Sequence, residues 1–184
     1  SGGGGGGGGI SVTYTTALTP DISFSSMQAY GGTGDGATDG GAGPILIKDT
    51  DGDAEMNVNN NGTSGAVATQ NVSTTLDLTR IGIYGGGKYV VPTGDTLVLS
   101  DSDDAPFFSG DGTGILTISS GAVFTPNASL TIDDTELELY RTATINNLAT
   151  TLTVAGTSSG SKGMLEVFEY TLANALSVAT LNVN

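Results

Sequence analysis

Carboxylate side chains gather in one short stretch in the first third of the chain, where they could bind a metal ion. Asp49, Asp51 and Asp53 alternate along the sequence around Gly52, and Glu55 follows two residues later. Ca²⁺ is coordinated by roughly six to eight oxygen atoms, and a tight acidic loop supplies several of them at once. The stretch therefore predicts a calcium-binding loop, with a solvated acidic turn as the alternative interpretation.

This acidic stretch resembles the first half of the calcium loops found in EF-hand and dockerin-type repeats. Two positions differ from those repeats, because Ala54 stands where the sixth residue is glycine and Asn60 stands where the twelfth is glutamate. The flanking sequence does not have the pattern of helices. The resemblance implies calcium binding by a partial loop without a complete EF-hand.

Further acidic residues could form second sites. Asp101, Asp103 and Asp104, together with Asp111, make an acidic loop before the apolar stretch at Leu116. We expect this loop to be either a second calcium site or a solvated turn. Two other aspartates, Asp35 and Asp39, lie in a glycine-rich loop and could complete a site.

The remaining acidic residues flank core strands and raise the question of catalysis. Asp133 and Asp134 are adjacent, and Glu136 and Glu138 share the strand face opposite Leu137 and Leu139, which predicts a solvent-facing pair. Paired carboxylates cleave glycosides, so a polysaccharide-active enzyme is one alternative. Aromatic residues make up only 6% of the chain and basic residues are scarce, so we expect no catalytic residues.

Composition excludes several classes of function. The net charge is −14, and the five basic residues are scattered, so no basic patch exists to bind nucleic acid or an anionic membrane. Cysteine and histidine are absent, which excludes disulfides, thiol catalysis and histidine-based triads. The sequence contains no run of about 18 apolar residues, so it predicts no membrane-spanning helix. The self-repulsion of so acidic a chain favours bound cations.

One phrase recurs between Thr96 and Gly156: an aliphatic residue, one intervening residue, then another aliphatic. Apolar residues two apart lie on one face of an extended strand, and Gly, Asp, Asn, Pro and Ser clusters separate the phrases. The pattern predicts a series of short strands. The phrases are Leu97-Val98-Leu99, Leu116-Thr117-Ile118, Leu130-Thr131-Ile132, Leu137-Glu138-Leu139 and Leu152-Thr153-Val154.

Residues 90–156 resemble the rungs of extracellular parallel β-helix proteins such as surface adhesins. The shared features are a Pro-x-Gly turn at Pro92, a Leu-Thr-Ile strand and a Gly-Ala corner at Gly121. The resemblance implies a parallel β-helix, or solenoid, which at roughly 20 residues and 4.8 Å per rung would hold about eight rungs. The leucines that open the phrases are unevenly spaced along the chain, so a β-sandwich or jelly roll is the alternative fold.

The N-terminal region predicts an arm. Gly2 to Gly9 is an unbroken glycine run, typical of a flexible linker or a cloning remnant, or else of a natural tether. Ile10, Val12 and Tyr14 alternate with polar residues and predict a half-buried strand. We expect residues 1–18 to form an arm and strand and residues 19–184 one all-β domain. The strand could insert into a neighbouring subunit through Ile10, Val12 and Tyr14, or pair within its own fold.

These observations favour an extracellular structural protein at the cell surface that self-assembles into a filament, sheath or surface layer. Its expected partner is a second copy of itself, and its expected ion is Ca²⁺. Because the chain begins at Ser1 without a signal peptide, we expect a mature, already processed form. The alternatives are an adhesin or viral fibre module that binds glycans or a receptor, and the polysaccharide-active enzyme above.

Overall fold

Short strands dominate the structure, a computed structural model that describes residues 3–15, 24–35, 38–50, 54–65, 68–71, 73–100, 108–126, 130–146, 151–156, 163–168 and 180–183. Within this part, the only helix is a single 3-10 turn at Phe24–Ser26. The strands are β1 (Ile10–Tyr14), β2 (Pro44–Asp49), β3 (Ala54–Asn59), β4 (Thr69–Gln70), β5 (Thr75–Leu78), β6 (Arg80–Tyr84), β7 (Lys88–Val91), β8 (Thr96–Leu99), β9 (Phe108–Gly110), β10 (Ile115–Ile118), β11 (Val123–Pro126), β12 (Leu130–Asp133), β13 (Glu136–Leu139), β14 (Thr144–Ile145), β15 (Thr151–Ala155), β16 (Met164–Val167) and β17 (Thr180–Val183).

The chain winds as a β-solenoid of about four turns. Sheet A has the order β1-β2-β3-β6-β9-β12-β15-β17, sheet B the order β16-β13-β10-β7-β4, and sheet C the order β14-β11-β8-β5. From β3 to β16 the chain visits A, B and C in turn, and equivalent strands of successive coils pair in parallel. The predicted parallel solenoid is thereby confirmed, and the sandwich alternative is excluded.

The recurring aliphatic phrases lie on different sheets, which explains their irregular spacing. Leu116 pairs in register with Leu137, and Leu130 pairs in register with Leu152. Each of these two intervals is one full coil, whereas consecutive phrases are separated by only part of a coil. The expectation of eight rungs was wrong, because it assumed coils along almost the whole chain, whereas the chain before β3 forms no coil.

The core lies inside the coils. It consists of the strand residues that point inward, which alternate along each strand with residues that point outward. The residues of the recurring phrases at Leu97, Leu99, Leu116, Ile118 and Leu130 are fully buried. Burying one such side chain stabilises the fold by roughly 1.5–3 kcal/mol. The core side chains expected before the recurring phrases, at Leu76, Leu78, Ile81 and Ile83, are also buried.

Tight corners let the chain change sheets. The corner between sheets B and C carries a residue with positive φ in three successive coils, at Gly94 (φ 86°), Gly121 (φ 76°) and Thr142 (φ 65°). The backbone N–H of Gly94 donates to the carbonyl of Gly121, and the N–H of Gly121 donates to the carbonyl of Thr142. Glycine adopts a positive φ without a steric cost, whereas the β-branched Thr142 adopts it at a steric cost.

The glycine run is packed into the fold rather than extended as a free linker. Residues 3–9 run beside residues 29–32 and 38–43, and we call these three segments the glycine layer. The N–H groups of Gly4 and Gly7 donate to carbonyls of the third segment at 3.1 and 2.8 Å. The two later segments are also joined to each other by backbone hydrogen bonds. The flexible-linker interpretation is therefore wrong for residues 3–9.

The close approach of these segments requires glycine at every third position of the run. A Cβ atom added at Gly4 or Gly7 would overlap with carbonyl oxygens of the second segment, whereas one added at Gly5 or Gly8 would meet nothing within 4 Å. A period of three residues is that of the polyproline II conformation, which has no hydrogen bonds of its own and offers its backbone to neighbours.

Asn60 joins the glycine layer to the first coil. Its side chain is 1% exposed, its amide Nδ2 donates to the carbonyls of Gly40 (3.1 Å) and Thr63 (2.6 Å), and its Oδ1 accepts the N–H of Gly31 (2.9 Å). These three bonds satisfy the buried amide group of Asn60, which would be costly to leave without partners. The glycine layer thereby covers the N-terminal end of the solenoid.

Candidate functional site

The outer face of sheet B carries a cluster of three carboxylates. The alternation of β13 turns Leu137 and Leu139 into the core, where both are fully buried, and turns Glu136 and Glu138 outward. The predicted shared outer face of these glutamates is thereby confirmed. The coil then aligns β16 with β13, so that Glu138 lies in register with Glu166. Carboxylate oxygens of the three glutamates lie within 4.8 Å of one another.

Sequence reasoning identified the two glutamates of β13 but did not join Glu166 to them. The signal was present, because Leu137-Glu138-Leu139 and Leu165-Glu166-Val167 repeat one aliphatic-Glu-aliphatic pattern. Only the register of the coils shows that these two stretches, which are well separated in sequence, become neighbours.

The electrostatics of this cluster favour a positive ligand. Burial raises the pKa of Glu136, and the neighbouring charges of Glu138 and Glu166 raise it further. Glu138 Oε2 accepts a hydrogen bond from Thr117 Oγ1 at 2.7 Å. The same negative charge, led by Glu138, raises the pKa of Tyr140. Three converging carboxylates have the chemistry to hold a divalent cation through oxygen ligands.

The first predicted calcium loop lies between the antiparallel strands β2 and β3. Asp49 ends β2 and is 6% exposed, while Glu55 lies near the start of β3, which is antiparallel to β2. The Glu55 carboxylate lies 4.0 Å from the guanidinium of Arg80 on the adjacent strand. Asp51 and Asp53 lie outside the described residues. Strands rather than helices flank this loop, so its setting is not that of an EF-hand.

The second predicted loop falls mostly outside the described part of the chain, which includes neither Asp101 nor Asp103 nor Asp104. Asp111 is described, and its carboxylate accepts the backbone N–H groups of Gly85 (2.8 Å) and Thr113 (3.1 Å). These bonds tie one coil corner to the next, so Asp111 has a structural role. Asp39 likewise holds its loop by accepting the N–H of Gly34 at 2.8 Å.

The two adjacent aspartates considered for catalysis occupy different environments. Asp133 ends β12 in register with Ser109 of β9, and its Oδ1 is buried without a hydrogen-bond partner. Burial and the charge of Asp134 raise the pKa of Asp133. Asp134 is itself buried in the following corner with φ 48°. The catalytic hypothesis for this pair remains an expectation from sequence.

The proposed interface strand β1 is the outer strand of sheet A. It pairs in parallel with β2 of the same chain, with Ile10 opposite Ile45 and Val12 opposite Ile47. Ile10, Val12 and Tyr14 are each partly buried. Within the described ranges no strand pairs with the other edge of β1.

Comparisons with known protein families, curated proteins and solved structures found no match to this chain. Among the described residues, no helix has both the length and the apolar character needed to cross a lipid bilayer.

Proposed function

We propose that this chain is an extracellular structural subunit that self-assembles through the ends of its solenoid into a filament, sheath or surface layer. One observation carries the proposal: the last strand of each sheet has no partner on its outer edge within the described residues. Unpaired strand edges are templates for pairing with another chain. Strands in the middle of each sheet are paired on both edges, so the solenoid ends are where pairing with a neighbour can occur.

Apolar groups near the C-terminal end support association there. On β16, Met164 is 40% exposed and Val167 is 44% exposed. Beside them, the ring of Tyr140 stacks on Phe168 with 4.7 Å between centroids. Because β16 is the terminal strand of sheet B, a neighbour that pairs with its edge would also cover these side chains.

The opposite end offers β1, whose outer edge is proposed as the second half of the contact. β1 runs parallel to β2 and β2 runs antiparallel to β3, so β1 runs opposite to the coil strands of sheet A. Strand hydrogen bonds contribute about 0.5–1.5 kcal/mol each, and association costs roughly 4–15 kcal/mol. A stable polymer therefore requires both the strand edges and the apolar side chains Ile10, Val12 and Tyr14.

Bound Ca²⁺ is part of the proposal because a net charge of −14 opposes the association of identical copies. The cluster of Glu136, Glu138 and Glu166 lies on the sheet that ends in β16, and Glu166 belongs to β16 itself. Neutralising this cluster would lower repulsion next to the proposed contact. The predicted loop at Asp49 is the second candidate for an ion.

The experiment compares assembly of the unmodified chain with that of Met164→Lys/Val167→Lys. Lysines on an edge strand oppose edge-to-edge pairing, so we expect the double variant to remain monomeric at concentrations where the unmodified chain assembles. Sedimentation velocity and electron microscopy measure the result. Val98→Lys, on the side of sheet C, is the matched control and is expected to assemble normally. Equal assembly of the double variant, or an unmodified chain that stays monomeric at high concentration, would refute the proposal.

A further inference from the structure

A cleft lies on the outer face of sheet A. Its volume is about 270 Å³. One wall is formed by the segment around the 3-10 turn, and the other by the outward residues of β3 and β6. The lining residues are Phe24, Ser25, Met27, Tyr30, Asn57, Asn59 and Tyr84. No charged residue belongs to this set.

Tyr84 provides a fixed aromatic surface in the cleft. A Cβ atom at Gly82 would overlap with Cε2 of the Tyr84 ring, so the ring lies back across the bare backbone of its own strand. Its hydroxyl is 3.0 Å from Ser109 Oγ on the next strand, which lies in register with Gly82. A ring held at both ends loses little conformational entropy when it binds a ligand.

Uncharged hydrogen-bonding groups stand beside this ring. Asn57 and Asn59 both face outward on β3. Asn59 Oδ1 accepts the N–H of Asn61 at 2.8 Å, which leaves its amide N–H groups to donate. Within the described part of the chain, the Asn57 amide and the Tyr30 hydroxyl have no hydrogen-bond partner. The cleft therefore combines uncharged hydrogen-bond donors and acceptors with aromatic rings.

The geometry points to a binding site for a neutral saccharide. A pyranose ring combines an apolar C–H face, which suits the electron-rich face of an aromatic ring, with hydroxyl groups that pair with side-chain amides. The cleft is slightly smaller than drug-sized pockets of roughly 300–1,000 Å³, so it accommodates one or two sugar rings. The net charge of −14 disfavours acidic sugars.

Saturation-transfer and chemical-shift NMR on the full chain would test this site. The probes are the methyl glycosides of glucose, galactose, mannose and N-acetylglucosamine, with galacturonate as the charged comparison. We expect at least one neutral glycoside to bind and to shift the resonances of Asn57, Asn59 and Tyr84. Galacturonate is expected to bind more weakly.

Variants connect that binding to the cleft. Tyr84→Ala is expected to weaken binding at least about tenfold, and Asn57→Ala about fivefold, the latter corresponding to one lost hydrogen bond. Val98→Ala removes an outward side chain of sheet C, outside both the cleft and the proposed contact, and is expected to leave binding unchanged. Circular dichroism checks that each variant is folded. If Tyr84→Ala does not fold, Asn57→Ala alone tests the cleft. The proposal is overturned if no neutral glycoside binds, if the shifts map elsewhere, or if both folded cleft variants bind as tightly as the unmodified chain.

Discussion

At Glu136 the fold holds three negative charges close together, and this sets a pH dependence. Its pKa is raised above the ordinary 4.5 by burial and by Glu138 and Glu166. The folded state therefore binds a proton more readily than the unfolded state does. The contribution of Glu136 to the free energy of unfolding therefore falls as pH rises from the ordinary pKa through the raised one.

Glu136→Gln is accordingly expected to stabilise the protein at pH 7 by about 0.5 kcal/mol, the scale of one like-charge cross-strand pair. The gain should vanish near pH 4, where glutamate and glutamine are both uncharged. Urea unfolding at the two pH values measures it. Glu55→Gln is the control, because Glu55 faces Arg80 at 4.0 Å and should lose a little stability instead. A destabilised Glu136→Gln at pH 7 would contradict the account.

Thr142 supplies a second prediction at the residue scale. It adopts φ 65° at a corner where two earlier coils use glycine, and a left-handed conformation costs an L-residue roughly 1–2 kcal/mol. Thr142→Gly is therefore expected to stabilise the fold by about 0.5–1 kcal/mol, after loss of the 2.7 Å hydrogen bond to Ser120 Oγ. Thermal unfolding measures this gain. Thr142→Ala keeps the strain, so equal stabilisation by alanine would show that φ is not the cause.

At the scale of elements, the glycine layer makes a prediction that distinguishes neighbouring residues. Gly4→Ala and Gly7→Ala place a methyl group against packed backbone and are expected to cost about 1–3 kcal/mol each, as in other overpacked sites. Gly5→Ala and Gly8→Ala point into open space and are expected to be neutral or stabilising by about 0.4–1 kcal/mol.

Denaturant unfolding, with hydrogen exchange of β1 to β3 as a local probe, measures the effect of these four alanine variants. A free glycine linker would tolerate all four substitutions equally. Equal tolerance would therefore show that residues 3–9 are not held in the layer.

At the scale of the whole molecule, charge controls the proposed assembly. Identical chains of net charge −14 repel one another, and salt screens that repulsion: the Debye length falls from about 30 Å at 0.01 M to about 8 Å at 0.15 M. We expect association to strengthen over that range. CaCl₂ is expected to be more effective than NaCl at equal ionic strength, because Ca²⁺ binds carboxylates directly.

Sedimentation velocity in the two salts measures this dependence. Glu138→Gln/Glu166→Gln should reduce the difference between CaCl₂ and NaCl if the sheet B cluster is the calcium site. Association that weakens with added salt would contradict the role given to charge.

Local sequence pattern was enough to place strands and core. Leu97-Val98-Leu99 alternates inward and outward wherever it lies, because the two-residue period of a strand is a property of the backbone itself. The same reasoning correctly placed Glu136 and Glu138 on the outer face of β13. Composition determined the charge, and the turn residues at Pro92 and Gly121 correctly favoured corners.

Register between distant segments could not be obtained in this way. Glu166 joins Glu136 and Glu138, and Tyr84 reaches Ser109, only because the lengths of the intervening corners set which residues of successive coils lie side by side. The packing of Gly4 and Gly7 likewise depends on two segments that are distant in sequence. A glycine run has no side-chain pattern from which its packing partners could be predicted. Backbone contacts in the folded chain therefore decided whether the run is a tether or a packed layer.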